Sequence, residues 1–199
     1  MSDTPIGTYL IIDLEMTGLN PFQNGVVEVG AMVMNDTFDI IGEFFMDLCP
    51  PDNVIIDPKS LEYNGFTLDR IAIGKSYEEF CEYWDGFLET HFPEGKKPIM
   101  VGQFIAADIA FLGSVFSNAR RPNLYEKLGN DIIDTKSIAN QANAIARYNK
   151  IALPFKSTSL SKPGGIAETL HITDYNAHTA RGDIMATREA LMKFLKFKR

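Results

Sequence analysis

The chain has 199 residues, 45% of them hydrophobic, and a formal net charge of −7 at pH 7. This length, without a low-complexity run, predicts a single domain over residues 1–199. The sequence has neither an apolar run near the ~18 residues of a membrane span nor the pattern of a secretory signal. Its two cysteines, Cys49 and Cys81, lack metal-ligand spacing. We therefore expect a cytoplasmic protein with free thiols and no membrane partner.

Charge is distributed unevenly along the chain. Residues 1–100 carry 18 acidic and 5 basic side chains, whereas residues 101–199 carry 8 acidic and 14 basic ones. The basic excess predicts either a rim that attracts an anionic ligand such as nucleic acid or ordinary solvated helix surfaces, and the sequence leaves both open. The candidate rim comprises Arg120, Arg121, Lys136, Arg147, Lys150, Lys156, Lys162 and Arg181.

Three strands are predicted near the start of the chain, over residues 8–14, 26–35 and 39–48. The turn sequences between them, PFQNG and NDT, are short, so neighbouring strands are expected to run antiparallel. Residues 77–92 then switch to a helical spacing of apolar side chains, which places Tyr83 among the residues expected to face the core.

The second half of the chain alternates short apolar strands with helices. Strands are predicted over residues 98–102 and 131–134, and the helices that follow them over residues 108–118 and 135–149. A last helix is predicted from Asp183 to about Phe197. This order predicts an α/β fold with a mixed sheet, in which three antiparallel strands are followed by parallel strands and helices flank the sheet.

The first strand carries two carboxylates in the stretch LIIDLEMTGLN. Asp13 and Glu15 are two residues apart, so they project from the same face of the strand at its carboxyl end, where open α/β sheets place ligands. Two unpaired ionised carboxylates there would cost several kcal/mol each, and no Lys or Arg lies nearby in the sequence. A hard divalent cation such as Mg²⁺ or Mn²⁺ is the natural counter-charge, although an isolated D-x-E also fits surface acids at a strand end.

Two further acids occur at strand-to-helix junctions. Asp108 begins the helix after the fourth strand, and Asp183 begins the last helix, five residues after His178. Each acid alone also fits an ordinary residue of a helix N-terminus. Together with Asp13 and Glu15, they predict a carboxylate cluster able to hold a pair of metal ions about 3.5–4 Å apart.

Three segments, IDLEMTGLNP, VGQFIAADIAFL and HTARGD, resemble in order and separation the exonuclease motifs of the DEDDh family, also called the DnaQ-like or RNase T superfamily. The first segment is most similar to oligoribonucleases. LEYNGFTLDRI and DIIDTKSIANQA are closer to RNase T and to the proofreading epsilon subunit of bacterial DNA polymerase III. The resemblance spans about residues 8–195, the motif-bearing core, and implies a single exonuclease domain with a ribonuclease H-like fold.

The resemblance also implies the roles of individual residues. The metal-binding acids of the family fall on Asp13, Glu15, Asp108 and Asp183, which would hold two Mg²⁺ or Mn²⁺ ions, and its general base falls on His178. Imidazole exchanges protons near physiological pH, so His178 would activate water to attack the terminal phosphodiester. The spacing of His178 and Asp183 separates the chain from the related tyrosine branch.

Contacts to the substrate follow from the same resemblance. Leu14, Met16, Thr17 and Gly18 would lie against the 3′-terminal nucleotide. The alternative is an ordinary turn after the strand, with Gly18 present for its backbone freedom.

The chain departs from the family just upstream of Asp108. Relatives commonly carry Asn there, often after His, whereas this sequence has Gln103 and Phe104. Phe104 would instead stack on a base. The segment KSTSLSKPGG has no clear counterpart and is expected to be either a basic loop beside the site or a simple linker.

These features predict a metal-dependent 3′–5′ exonuclease that acts on the 3′ ends of single-stranded DNA or RNA and releases nucleoside 5′-monophosphates. One alternative is a proofreading-type subunit that acts mainly as a polymerase-bound interaction module. Another is an oligoribonuclease that degrades very short RNAs. The sequence does not choose among them, nor between a monomer and a homodimer.

Overall fold

A computed structural model describes residues 6–173 and 175–196 of the chain. Its strands are β1 Tyr9–Met16, β2 Val26–Met34, β3 Ile40–Asp47, β4 Ile99–Gly102 and β5 Ile132–Asp134. They form a five-stranded sheet in the order β3-β2-β1-β4-β5. β1 pairs antiparallel with β2, and β2 with β3, whereas β4 runs parallel to β1 and β5 parallel to β4. The predicted mixed sheet is confirmed.

Helices flank the sheet. In chain order they are α1 Pro58–Asn64, α2 Leu68–Ala72, α3 Tyr77–His91, α4 Ala106–Asn118, α5 Thr135–Tyr148, α6 Ile166–Thr169 and α7 Ala180–Leu195. Two short 3₁₀ helices, Pro93–Gly95 and Pro122–Lys127, precede β4 and β5. Within the described ranges, none of the helices combines the length and the apolar character needed to cross a membrane.

The alternation of side chains along β1 divides its residues between the two faces of the sheet. Leu10 belongs to the larger core, which packs against α3 and α4. Ile11 belongs to a second core, which it shares with Ile184 of α7. Asp13 and Glu15 continue the face of Ile11, so the fold directs them towards α7.

Two helices begin earlier than the sequence predicts. α7 begins at Ala180 because the side chain of Thr179 caps it, accepting a hydrogen bond from the Gly182 N–H across 3.1 Å. α4 begins at Ala106, so Asp108 lies in its first turn rather than at its start. The predicted end of the last helix near Phe197 lies outside the described residues.

The predicted helix over residues 77–92 forms as α3, but one of its side chains was misassigned. Trp84 is fully buried, whereas Tyr83 is 55% exposed, so the prediction that Tyr83 faces the core was wrong. Tyr83 lies at the edge of the apolar stripe, where helical spacing does not settle the side. Both cysteines are free thiols, with Cys81 buried and Cys49 half-buried. The short helices α1, α2 and α6 were not predicted, because a few residues carry little periodicity.

One buried side chain fastens the segment between α5 and α6 to α5. Asn143 Nδ2 donates to the Phe155 carbonyl across 2.9 Å, and the Phe155 N–H donates to Asn143 Oδ1 across 3.1 Å. Phe155 is itself buried in a core that includes residues of α6 and α7. These bonds fix the start of the loop over residues 156–165.

Replacing Asn143 by alanine is expected to lower the free energy of unfolding by about 1–3 kcal/mol, because the amide and carbonyl groups of Phe155 lose their buried partners. Asn140→Ala changes an exposed asparagine on the same helix and is the matched control. Urea unfolding of the two variants measures the difference. Equal free energies of unfolding for the two variants would contradict a stabilising role for the hydrogen bonds between Asn143 and Phe155.

Candidate active site

The fold brings carboxylates from two elements together at the carboxyl end of β1. Ligand oxygens of Asp13, Glu15 and Asp183 all lie within 4.8 Å of one another. Asp13 and Glu15 come from β1, and Asp183 comes from the first turn of α7. The structure therefore gathers most of the predicted acids at one point, although they are far apart in the sequence.

The remaining predicted acid, Asp108, lies beside this group and contacts the backbone of β1. β1 pairs with β4 only from Tyr9 to Ile11, which leaves the edge of β1 open beyond that point. The Leu14 N–H donates there to Asp108 Oδ1 across 3.1 Å. The Asp108 charge helps to raise the pKa of Asp13. Asp108 is thus a close neighbour of the cluster, but it is not part of the group within 4.8 Å.

His178 lies in the loop that precedes α7. Its backbone N–H donates to Asp183 Oδ2 across 3.1 Å. Its imidazole ring packs against the ring of Tyr63 from α1, with 4.2 Å between the centroids. Its φ of 66° lies in the left-handed region, which is uncommon for residues other than glycine. These contacts hold His178 beside the carboxylate cluster.

The acids of the site share surroundings that disfavour their ionised forms. Burial is the largest cause, and it raises the pKa of Asp13, Asp108 and Asp183 above the ordinary range. The pKa of Glu15 rises to about 8, mainly through burial and further through the negative charges of Asp183 and Glu28. The site therefore favours the binding of protons or of a cation.

The cluster fits a divalent cation. Asp183 Oδ1 is buried and has no hydrogen-bond partner among the described residues. In that part of the chain, none of the ion pairs made by Lys or Arg involves Asp13, Glu15 or Asp183. Clustered carboxylate oxygens are the ligands that Mg²⁺ and Mn²⁺ prefer. These side chains are therefore suited to hold such an ion.

A groove of about 890 Å³ passes over the cluster. Three of the predicted contacts from the first motif, Leu14, Met16 and Gly18, line it, and so does Phe104 from the second motif. The segment over residues 156–165, expected to be either a basic loop beside the site or a linker, contributes residues 157–162 to the lining of the groove. The groove thus joins the carboxylates to most of the predicted substrate contacts.

Thr17 is the exception among those contacts. Its side chain is fully buried and does not reach the groove. Its hydroxyl donates to the Ile55 carbonyl across 2.8 Å and accepts from the Gly25 N–H across 2.9 Å. In this structure Thr17 supports the turn after β1 from within.

Glu28 supports the site, and the sequence analysis missed it. Its Oε2 accepts a hydrogen bond from the N–H of Ala180, the first residue of α7, across 3.0 Å. Arg70 pairs with Glu28 across 3.4 Å and with Asp47 across 2.6 Å. This series of contacts holds the first turn of α7, which carries Asp183, against the sheet. Contacts between such distant residues leave no local pattern in a sequence.

Without a bound cation, the protein is expected to lose stability as the pH rises from about 5 to 8. Glu15 has a pKa of about 8 in the folded protein, against an ordinary value of 4.5. Between these values the folded state keeps a proton that the unfolded chain has released, so the free energy of unfolding falls as the pH rises. A divalent cation takes the place of that proton, so Mg²⁺ should raise the Tm more at pH 8 than at pH 5.

Thermal unfolding with Mg²⁺ and with EDTA across this pH range measures the effect. Glu15→Gln should weaken the pH dependence of the metal-free protein, because the amide does not titrate. Equal shifts of the Tm by Mg²⁺ at pH 5 and pH 8 would contradict the prediction.

Comparison with known protein families adds an independent observation. The RNase T family model, described as an exonuclease, matches residues 10–191, a range that contains the carboxylate cluster, Asp108 and His178. The chain belongs to this exonuclease family. Membership confirms the resemblance of the sequence motifs, supports nuclease activity and implies a divalent metal, for which the carboxylate cluster is suited.

Curated relatives of this exonuclease family share modest identity with the chain. The PolC-type DNA polymerase III of Thermotoga petrophila is 26% identical over 193 residues, which are 95% of this chain and 12% of the polymerase. The oligoribonuclease of Shewanella sp. strain W3-18-1 is 29% identical over 113 residues, which are 54% of this chain and 62% of the enzyme. The chain therefore spans less than two thirds of the length of either relative.

A solved structure of similar fold is E. coli exonuclease I in complex with a dA16 oligonucleotide. It superposes with a TM-score of 0.71 at 18% identity, over 96% of this chain and 41% of exonuclease I. The likeness confirms the ribonuclease H-like fold predicted for this member of the exonuclease family.

Proposed function

We propose that the protein is a metal-dependent 3′–5′ exonuclease that removes nucleotides from the 3′ ends of single-stranded DNA or RNA. The observation that carries the proposal is the cluster of Asp13, Glu15 and Asp183 oxygens within 4.8 Å of one another, with His178 on the wall of the same groove. Membership of the exonuclease family supports it.

The relatives support the substrate class. Exonuclease I binds a dA16 oligonucleotide in its solved complex, which favours single-stranded nucleic acid for this chain as well. The similarity to an oligoribonuclease favours very short RNAs as a second candidate substrate. The alignment with a PolC-type polymerase favours a proofreading-type role beside a polymerase as a second candidate function. Each is a proposal, because the chain covers only part of those proteins.

In the proposed reaction, two Mg²⁺ or Mn²⁺ ions would be held by Asp13, Glu15 and Asp183, with Asp108 beside them. Bound ions of this kind lower the pKa of water and offset the charge that develops on a transferred phosphate. His178 accepts the proton of the attacking water. The water oxygen bonds to the terminal phosphorus while the bond from phosphorus to the 3′ oxygen breaks, and that oxygen takes up a proton. The products are a nucleoside 5′-monophosphate and a strand with a new 3′ hydroxyl.

The groove wall formed by β1 receives the terminal nucleotide in this proposal. Leu14 and Met16 offer apolar contact to its base, and Gly18 continues the same wall. Thr17 acts indirectly, by supporting the turn. A single exonuclease domain over residues 1–199, with its motif-bearing core over about residues 8–195, and a cytoplasmic location stay predictions, and the choice between a monomer and a homodimer stays open.

A digestion panel tests the proposed function. Single-stranded DNA and RNA of equal sequence, together with a dinucleotide, are incubated with the protein and Mg²⁺, and the products are identified. We expect nucleoside 5′-monophosphates, and a strong preference for the dinucleotide would favour the oligoribonuclease alternative. No cleavage of any substrate by folded protein would contradict an independent exonuclease, and cleavage restored by a polymerase would favour the interaction module.

A further inference from the structure

We propose that Phe104 and Lys136 form a second subsite of the groove, which binds the nucleotide preceding the terminal one. The base of that nucleotide stacks on the Phe104 ring, and its phosphate pairs with the Lys136 ammonium. This inference rests on the proposed exonuclease function, and it assigns a role to the position at which the chain departs from its family.

Phe104 is held in a conformation that core packing does not explain. Its φ of 64° lies in the left-handed region, yet its side chain is 54% exposed on the wall of the groove. The next residue, Ile105, is fully buried, and its N–H donates to Asp134 Oδ2 across 2.8 Å, which fixes the backbone. A strained backbone that presents an apolar ring to a groove is typical of a ligand contact.

Lys136 supplies the matching charge. Its Nζ lies 4.0 Å from the centroid of the Phe104 ring, a cation–π contact that places the ammonium at the edge of the groove. Among the described residues, Lys136 forms no ion pair with a carboxylate. It lies in the first turn of α5, whose positive end also favours an anion. An aromatic ring beside a basic side chain is the combination that single-strand binding uses.

Gln103 completes the wall around this pair. Its Nε2 donates to the Thr158 carbonyl across 2.9 Å, and its Oε1 accepts from the Thr135 hydroxyl across 2.5 Å. These bonds tie residues 157–162 to the ends of β4 and β5. The hydroxyl groups of this loop and the Lys162 ammonium therefore line the same groove as Phe104.

The position of the pair indicates which nucleotide it binds. The carboxylate cluster marks the scissile phosphate, and Leu14 and Met16 line the groove from β1. Phe104 follows β4 and Lys136 follows β5, and the sheet order places both strands on the side of β1 away from β2. The pair therefore lines that side of the groove. A strand whose terminal nucleotide lies on the β1 wall leads its preceding nucleotide past Phe104.

The test compares two substrates that share the terminal nucleoside 5′-phosphate but differ in the leaving group. One is a single-stranded oligonucleotide, and the other is a p-nitrophenyl ester of a nucleoside 5′-monophosphate, which has no preceding nucleotide. For Phe104→Leu and Lys136→Gln, kcat/KM on the oligonucleotide should fall at least about tenfold more than kcat/KM on the ester, mainly through KM. Tyr83→Leu and Lys97→Gln alter an exposed aromatic and an exposed lysine away from the groove and are the matched controls. Equal losses on the two substrates, or no loss on the oligonucleotide, would overturn the proposal.

Binding without turnover separates this inference from the proposed function. Fluorescence anisotropy of a labelled single strand in EDTA should show weaker binding by both variants, and Lys136→Gln should reduce the slope of log K against log salt by about one. Unchanged binding would overturn the subsite. Weaker binding by variants of a protein that cleaves neither substrate would support the subsite and contradict the exonuclease.

Discussion

Asp13→Asn is expected to reduce metal-dependent cleavage by about 10³-fold or more while leaving the fold intact. The side chain keeps its shape but loses one of the charges proposed to hold the cations. Each ~1.4 kcal/mol of lost transition-state stabilisation slows cleavage about tenfold, so a loss of several kcal/mol gives an effect of this size. The metal-free variant should also have a higher Tm at pH 8 than the unmodified metal-free protein. Burial and the neighbouring acids raise the pKa of Asp13, so removing its charge relieves repulsion.

Asp36→Asn is the control for this substitution, because Asp36 is exposed in the turn between β2 and β3, at the opposite end of β1. Initial cleavage rates at saturating Mg²⁺ and thermal unfolding in EDTA measure both effects. A variant that retains cleavage within tenfold of the unmodified protein would exclude Asp13 from the catalytic site. A metal-free variant that is less stable would contradict the repulsion described for the cluster.

His178→Asn is expected to lower kcat by about 10²–10⁴-fold, the usual range for loss of a general base. Asparagine tolerates the left-handed backbone that His178 adopts, with a φ of 66°, so the loop should keep its conformation. The hydrogen bond from the backbone N–H to Asp183 is also kept. The loss therefore reports on the imidazole rather than on the position of Asp183.

His171→Asn is the matched control, because His171 also has a positive φ, of 53°, although it is exposed whereas His178 is half-buried. Rates for both variants are measured under single-turnover conditions with the same oligonucleotide. We expect no change for His171→Asn. A loss smaller than tenfold for His178→Asn would mean that another group removes the proton.

The carboxylates of the site could be predicted because their positions depend on local sequence patterns. Asp13 and Glu15 share a face through strand alternation alone, and the burial of Ile11 against α7 shows which face that is. The first motif lies at the carboxyl end of β1, and the last motif lies at the start of α7. The order of strands and helices therefore predicted that the acids of these two motifs lie close together. The antiparallel start of the sheet followed from the short turns between its strands.

The rest of the site depends on contacts that have no local pattern. Tyr63 packs on His178 across more than 100 positions of sequence, and Glu28 reaches Ala180 in the same way. Thr17 was predicted to contact substrate, but burial of its hydroxyl between two backbone groups is a property of the folded turn. Such partners become visible only when the chain is folded.

Backbone strain is a second property that the sequence did not reveal. A left-handed conformation costs a residue other than glycine about 1–2 kcal/mol. A phenylalanine is therefore expected to have a negative φ, and the positive φ of Phe104 could not be predicted from its type. The helix starts were misplaced for a related reason, because the cap at Thr179 extends α7 upstream of its first predicted residue. The backbone conformation of Phe104 and the start of α7 determine where the side chains of Phe104 and Asp183 line the groove.

The clustered carboxylates are proposed to hold a catalytic divalent cation. The most direct test of this proposal is digestion of one 5′-labelled single strand by protein that has been stripped with EDTA, dialysed, and then reloaded with Mg²⁺ or Mn²⁺. We predict a ladder that shortens from the 3′ end only after reloading. Equal cleavage by the stripped protein would contradict a catalytic cation, and release of the label as a mononucleotide from the 5′ end would contradict the 3′–5′ direction.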